Sequence, residues 1–228
     1  MDKRYARNMN MLTPEENQNL QRFRVCVVGC GGLGGYVIEM LGRLGIGHIT
    51  AIDGDVFEES NLNRQLLSDT ETIGFSKAET ARRRMQVVNP LIQVRAVQEH
   101  ITAQNGEDQL RDHDVVVDAL DNVESRFVLR DVCAHLGLPL VHGAIGGWYG
   151  QVTTILPGDN TLDLLYPKEA SGGIEKILGN PSFAPGLVAS IQVSEVLKIL
   201  IGRGQLLQKR LLHIDLYSQE YSVLELKD

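Results

Sequence analysis

Cysteine is scarce in this chain, and the few present lack framework spacing. The 228 residues hold three, Cys26, Cys30 and Cys133. No CxxC pair is available to grip zinc or form a redox couple. An odd count without framework spacing argues against a disulfide scaffold and for a reduced, cytoplasmic protein. Positive charge is also short. The formal net charge is −7, the reverse of the basic surplus with which dedicated nucleic-acid binders meet phosphate. No run of about eighteen uninterrupted apolar residues occurs, so no membrane span is expected. Met1-Asp2-Lys3-Arg4 leads into polar sequence, without the apolar stretch of a signal peptide. Internal repeats and low-complexity segments are lacking too.

What is present is globular: 43% hydrophobic, 22% charged, with 23 glycines. The length suits one large α/β domain. Thr13-Pro14-Glu15-Glu16 reads as a helix start, with Thr at the N-cap, Pro at the first position and Glu three residues on. Arg24-Val25-Cys26-Val27-Val28, ending at Gly29, reads as a buried parallel strand. Val37 to Leu44 has helical apolar spacing, and Ile49 to Ile52 is a second strand. Ser76-Lys77-Ala78-Glu79 opens a helix that Asn89-Pro90 stops near Val88. Ile92 to Val97 and Asp114 to Asp118 read as strands, Glu124 to Leu136 as a helix, and Leu140-Val141 as the start of another strand. This alternation predicts a Rossmann-like, doubly wound, mostly parallel sheet. Gln151 to Leu156 continues as a strand, and residues 157–184 read as a long loop. Pro185 to Ile201 is an apolar helix. Leu211 to Leu216 and Tyr221 to Leu226 add antiparallel C-terminal strands.

Gly29-Cys30-Gly31-Gly32-Leu33-Gly34 is GxGxxG placed between a strand and a helix. Glycines let backbone approach a phosphate or ribose, and the helix N-terminus offers free N–H groups. Asp53 ends the second strand, 22 residues after Gly31, where such folds place a carboxylate on a ribose hydroxyl. The alternative is a packing turn without ligand. A nicotinamide or flavin site has little need of the cations that follow, Arg64 and Lys77. A triphosphate site does, because charge on the β- and γ-phosphates must be neutralised as pyrophosphate leaves. There is no GxxxxGK[ST] and hence no P-loop. Asp121-Asn122 follows the valine-rich strand, at the sheet's carboxyl end, where Asp121 can hold Mg²⁺ beside a triphosphate.

The run GxGGLG, then Asp53-x-Asp55, Ser60-Asn61-Leu62-Asn63-Arg64-Gln65, Gly74-x-x-Lys77, Asn89-Pro90 and Asp121-Asn122-x-x-x-Arg126 resembles the ThiF/MoeB/HesA family. Arg4-Tyr5-x-Arg7 and the apolar Pro185 helix extend the resemblance over nearly the whole chain. These are bacterial relatives of the ubiquitin-activating enzymes, adenylyltransferases of sulfur-carrier proteins. The resemblance implies that ATP is attacked at its α-phosphate by the C-terminal Gly-Gly carboxylate of a small ubiquitin-fold carrier, giving an acyl adenylate and pyrophosphate. It implies a nucleotide site of Gly29, Gly31, Gly32, Gly34, Asp53, Asp55, Asn61, Arg64, Lys77, Asp121 and Asn122. In that site Gly32 would contact the nucleotide through its backbone, and Asp53 would hold the ribose. Asn61, Arg64 and Lys77 would grip the phosphates, and Asp121 the Mg²⁺. Arg7 matches an arginine that reaches the triphosphate from the other subunit, so a homodimer is expected. The catalytic set is then Arg7, Arg64, Lys77 and Asp121. Arg126 fits either a structural anchor or a phosphate contact.

The chain departs from the family in one respect. Many members carry two CxxC pairs for structural zinc, whereas Asp163-Leu164-Leu165-Tyr166-Pro167 stands where the first would be. No zinc is expected, and the three cysteines read as packing residues. The histidines read as structural or surface residues. On this reading residues 1–228 form a single adenylation domain: an arm and helix (1–23), a nucleotide-binding half (24–156), a crossover loop (157–184), and a C-terminal helix with strands (185–228). Other acceptors, a modified tRNA or a peptide, and a non-catalytic nucleotide-binding scaffold stay open as alternatives.

Overall fold

The computed structural model describes residues 2–166 and 175–226. The first helix, α1 (Pro14–Asn19), opens with the capping box expected of Thr13, whose hydroxyl accepts from Glu16 N while the Glu16 carboxylate accepts from Thr13 N. Then β1 (Arg24–Val28), α2 (Gly32–Leu44) and β2 (His48–Ile52) form the first β-α-β unit. It is followed by α3 (Lys77–Val88), β3 (Gln93–Val97), α4 (Gly106–Leu110), β4 (Val115–Asp118), α5 (Val123–Leu136) and β5 (Leu140–Gly146). At the start of α3 only half of the anticipated box forms. Ser76 accepts from Glu79 N, but the Glu79 carboxylate takes Arg82 and Arg83 instead.

After β6 (Tyr149–Ile155) the chain was expected to run as an irregular loop over 157–184. The described part instead holds two short helices, α6 (Thr161–Leu165) and α7 (Glu175–Leu178); residues 167–174 of that expectation lie outside the described residues. Helices of four or five residues are too short for apolar periodicity to register. α6 is held by tertiary packing, with Leu162 fully buried against the sheet. α8 (Phe183–Ile201) starts two residues before Pro185, which sits in the first turn, where its missing N–H costs nothing. β7 (Arg210–Asp215) and β8 (Glu220–Glu225) complete the chain.

All eight strands form one sheet in the order β3-β2-β1-β4-β5-β6-β7-β8. The pairs from β3 through β5 are parallel, and those from β5 onward are antiparallel. The doubly wound, mostly parallel fold with added antiparallel C-terminal strands is therefore the observed one. β1 and β4 are buried along nearly their whole length, as strands covered on both faces must be. One core cluster joins the sheet to α2, α3 and α8, and a second joins it to α4, α5 and α6. A fully buried leucine such as Leu41 contributes about 1.5–3 kcal/mol. By length and composition α8 is apolar enough to cross a membrane. It packs instead on α2 and on β4, β5 and β6, and its buried Gln192 and Glu195 bond to the protein interior. It reads as a core helix.

Candidate active site

β1 sends the chain toward β2 on one side, while β4 lies on its other side with Val28 paired to Asp118. Helices leave the sheet in opposite directions here, so a crevice opens beyond the strands' carboxyl ends. A cleft of about 570 Å³ occupies it, well within the range of small-molecule sites.

The glycine loop forms its floor. Gly29 has a φ of 93°, and a Cβ there would meet the Ala119 carbonyl oxygen at 2.5 Å. A Cβ on Gly34 would lie 1.7 Å from the Gly29 oxygen, so Gly34 is needed for close packing of α2 on the loop and does not line the cleft. Gly31 and Gly32 do line it, and a Cβ on either would touch only side chains. Asp53, at the end of β2, accepts from Cys30 N at 2.7 Å and from Asp55 N at 2.8 Å. Burial pushes its carboxyl above the usual range, while those two donors act in the opposite sense.

One wall carries the cations. Lys77 opens α3, and its Nζ lies 3.0 Å from Asp55 Oδ2. Arg64 Nη1 donates to the Ser60 carbonyl and to Asn63 Oδ1, at 3.0 and 2.8 Å. Neither partner is charged. Asn61 sits differently from its neighbours. It is buried, its Oδ1 caps the Glu58 N–H at 3.0 Å, and it is not among the cleft-lining side chains. Opposite stand Asp121, exposed, and Asn122, whose Oδ1 caps α5 through Ser125 N at 2.8 Å. The structure thus brings Gly29, Gly31, Gly32, Asp53, Asp55, Arg64, Lys77, Asp121 and Asn122 to one cleft. Gly34 and Asn61 support it from behind.

Arg7 is far from this group within its own chain. It is exposed on the 3₁₀ turn Lys3–Asn8, which Asn8 ties to the Leu44 carbonyl and Arg4 to the Val88 carbonyl. Both carbonyls lie at the C-terminal ends of helices that start at the cleft. The thirteen residues of α2 put that end about 20 Å away.

Several cleft residues were given no role in the sequence: Gln65, Glu99, His100, Ser125 and Asn180. Gln65 Oε1, Asn180 Oδ1 and Arg126 Nε are buried yet lack a hydrogen-bond partner. Residues that line the cleft thus carry polar atoms whose hydrogen-bonding capacity is not used within the protein. With the glycine floor and the two cations they fit a nucleotide triphosphate. One exposed carboxylate, Asp121, fits a Mg²⁺ held chiefly by phosphate oxygens and water, the usual manner for this ion. Among the described residues no cluster of three or more His, Cys, Asp or Glu could hold a metal alone. The three thiols are buried, and burial drives them well above the usual range, so none is an activated nucleophile.

The ThiF family pattern matches residues 5–228. The chain belongs to the ThiF family. It is 38% identical over 217 residues to the SAMP-activating enzyme E1 of Haloferax volcanii, covering 93% of this chain and 80% of that one. To the sulfur carrier protein adenylyltransferase of Thermus thermophilus it is 36% identical, covering 98% and 87%. In three dimensions it superposes on E. coli MccB with a TM-score of 0.84 at 21% identity, covering 98% of this chain and 69% of MccB. At that identity the likeness is one of fold.

Proposed function

We propose that this ThiF-family chain is an ATP-dependent adenylyltransferase that activates the C-terminal Gly-Gly carboxylate of a small ubiquitin-fold sulfur carrier. The observation that carries the reading is the convergence of Arg64, Lys77 and Asp121 on one glycine-floored cleft. The names of the two relatives above support the choice of acceptor.

The chemistry follows from charge. A carboxylate oxygen must bond to the α-phosphorus while the bond to the bridging oxygen breaks and pyrophosphate departs. Two anions approach each other, and only cations already in place offset their repulsion. Arg64 and Lys77 supply fixed positive charge, Asp53 is placed for the ribose, and Gly31 and Gly32 let the phosphates approach the backbone. Mg²⁺ bound near Asp121 would add further charge neutralisation. The reading includes a homodimer in which Arg7 of one copy completes the other's cleft, in keeping with its distance from its own. A cytoplasmic setting suits three free, buried thiols.

The test is ATP–pyrophosphate exchange with Mg²⁺ and candidate carriers ending in Gly-Gly. Exchange that depends on one carrier, and disappears when its last glycine is removed, is expected. ATP binding without exchange for any carrier would overturn the reading in favour of another acceptor or a scaffold.

A further inference from the structure

Behind the cleft, five polar side chains from five elements close into one network. Asp118 ends β4, His142 lies in β5, Gln151 in β6, Arg126 in α5, and Tyr166 follows α6. Asp118 and His142 are fully buried, and Arg126 is 5% exposed. His142 Nδ1 lies 2.6 Å from Asp118 Oδ2, and its Nε2 lies 3.1 Å from the Tyr166 hydroxyl. That hydroxyl accepts from Arg126 Nη1 at 2.8 Å and from Gln151 Nε2 at 2.7 Å.

One arrangement of protons satisfies these contacts, with Gln151 Nε2 also lying 3.3 Å from His142 Nε2. Arginine and the glutamine NH₂ can only donate, so both lone pairs of the Tyr166 oxygen are used and its proton points to His142 Nε2. Burial keeps the imidazole neutral, below its usual range, so Nε2 accepts and Nδ1–H donates to Asp118. Apart from Arg126 Nε, which faces Asp118 Oδ2 at 3.8 Å, the hydrogen bonds interlock, and such networks hold their members in one geometry. Arg126 carries that geometry to the cleft. Its Nη2 donates to the Leu120 carbonyl at 2.6 Å, one residue before Asp121, and the Leu120 N–H is held by Asp118 Oδ1 at 2.9 Å.

We propose that Tyr166 is a positioning residue for adenyl transfer: its hydroxyl orients the Arg126 guanidinium, which fixes the Leu120–Asn122 wall that presents Asp121. This rests on the adenylyltransferase reading above. Tyr166 itself does not line the cleft, so it acts through Arg126. Its ring also packs, at 5.7 Å edge-on to His142 and 5.2 Å from the Arg126 guanidinium. Removing the oxygen alone leaves those contacts in place.

The experiment compares wild type, Tyr166→Phe, Arg126→Lys and the double variant. Carrier-dependent exchange is resolved into kcat and the KM for ATP, and is paired with amide hydrogen exchange of residues 119–123 and thermal unfolding. For Tyr166→Phe, kcat should fall by about 10–100-fold, as for other outer partners of a site, with KM within about twofold. Amides at Leu120–Asn122 should exchange about tenfold faster. The double variant should be no slower than Arg126→Lys, because the hydroxyl acts through that side chain. An unchanged kcat, unchanged exchange at 119–123, additive losses, or loss of the cooperative melt in Tyr166→Phe would each overturn the proposal. The amide measurement needs no turnover. A wild type inactive with every carrier refutes the adenylyltransferase reading, while the 119–123 comparison still decides whether Tyr166 holds that wall.

Discussion

Lys77 Nζ lies 3.0 Å from Asp55 Oδ2 across the mouth of the cleft, while Arg64 on the same wall bonds only to neutral oxygens. The two cations are therefore poised differently. Lys77 is buried to 8% exposure and aimed by Asp55, whereas Arg64 can turn its donors to an arriving phosphate without giving up an ion pair. Arg64→Ala and Lys77→Ala should each lower pyrophosphate exchange by roughly 100–1,000-fold, the usual cost of removing one preorganised donor. Steady-state exchange rates check this, and near-wild-type rates in both variants would remove the cations from the mechanism.

The glycines separate fold from ligand. Gly34→Ala drives a methyl into the Gly29 carbonyl, 1.7 Å away, where backbone on both sides has nowhere to go. Destabilisation at or beyond the upper end of the about 1–3 kcal/mol typical of overpacked sites is expected. Gly32→Ala meets only side chains at ordinary contact distance, Pro185 at 3.6 Å and Arg64 at 4.0 Å, so its melting temperature should hold while ATP affinity falls. Thermal melts and ATP titrations of the pair test the assignment. Equal melting losses in both would show that Gly32 too serves packing.

Acid should weaken this fold through its histidines. Burial lowers the affinity of His142 for a proton, and the same cause acts on the partly buried His113. Below the ordinary imidazole value of 6.5 the unfolded chain binds protons that the folded chain refuses, so stability falls as pH drops through that value. Each histidine contributes a slope of up to about 1.4 kcal/mol per pH unit until its folded form also protonates. Denaturant melts between about pH 7.5 and 5 should show that slope. His142→Gln should remove the His142 share and leave that of His113, and an unchanged slope would show that His142 titrates normally.

Glu195 anchors the end of α8 from inside. It is fully buried, and one oxygen accepts from Thr154 Oγ1 and Leu207 N, at 2.6 and 2.8 Å. The other pairs with Lys198. Glu195→Ala would leave two buried donors without a partner and Lys198 with only the Gln205 carbonyl, at a cost of about 1–3 kcal/mol for each orphaned donor. Chemical denaturation measures it directly, and a loss below about 1 kcal/mol would mean that water replaces the carboxylate without penalty.

The parallel half of the sheet was legible because its signals are local. Short valine-rich runs stopped by Gly29 or Asp118, and caps at Thr13 and Ser76, sit within a few residues of what they specify. The later half is less so, since α6 depends on Leu162 finding the sheet rather than on its own periodicity. Within the site, the residue block around Arg64 reaches the cleft through Arg64 and Gln65, and its spacing does not separate roles. Asn61 is there to cap a turn, Asn122 caps α5 as well as lining the cleft, and Gly34 serves packing. The Asp118–His142 pair is 24 residues apart, and only the parallel pairing of β4 with β5 brings it together. No spacing rule finds such a pair.

Arg7 gives the sharpest test of the assembly. In its own chain it sits at the far end of α2, about 20 Å from the glycine loop by helix rise alone, and Tyr5 locks that turn against Gly45. If Arg7 serves catalysis, it must serve another copy's cleft. Arg7→Ala and Lys77→Ala are each expected to be nearly inactive alone. Mixed after denaturation and refolding, half of the dimers are hybrids, and each hybrid has one complete cleft: intact Lys77 from one chain and intact Arg7 from the other. Exchange should recover to about a quarter of wild type in a symmetric dimer. Action within one chain predicts no recovery, because each chain then carries its own defect whatever its partner. Recovery near a quarter would establish both the dimer and the direction in which Arg7 reaches, whereas none would confine Arg7 to the surface turn where the fold holds it.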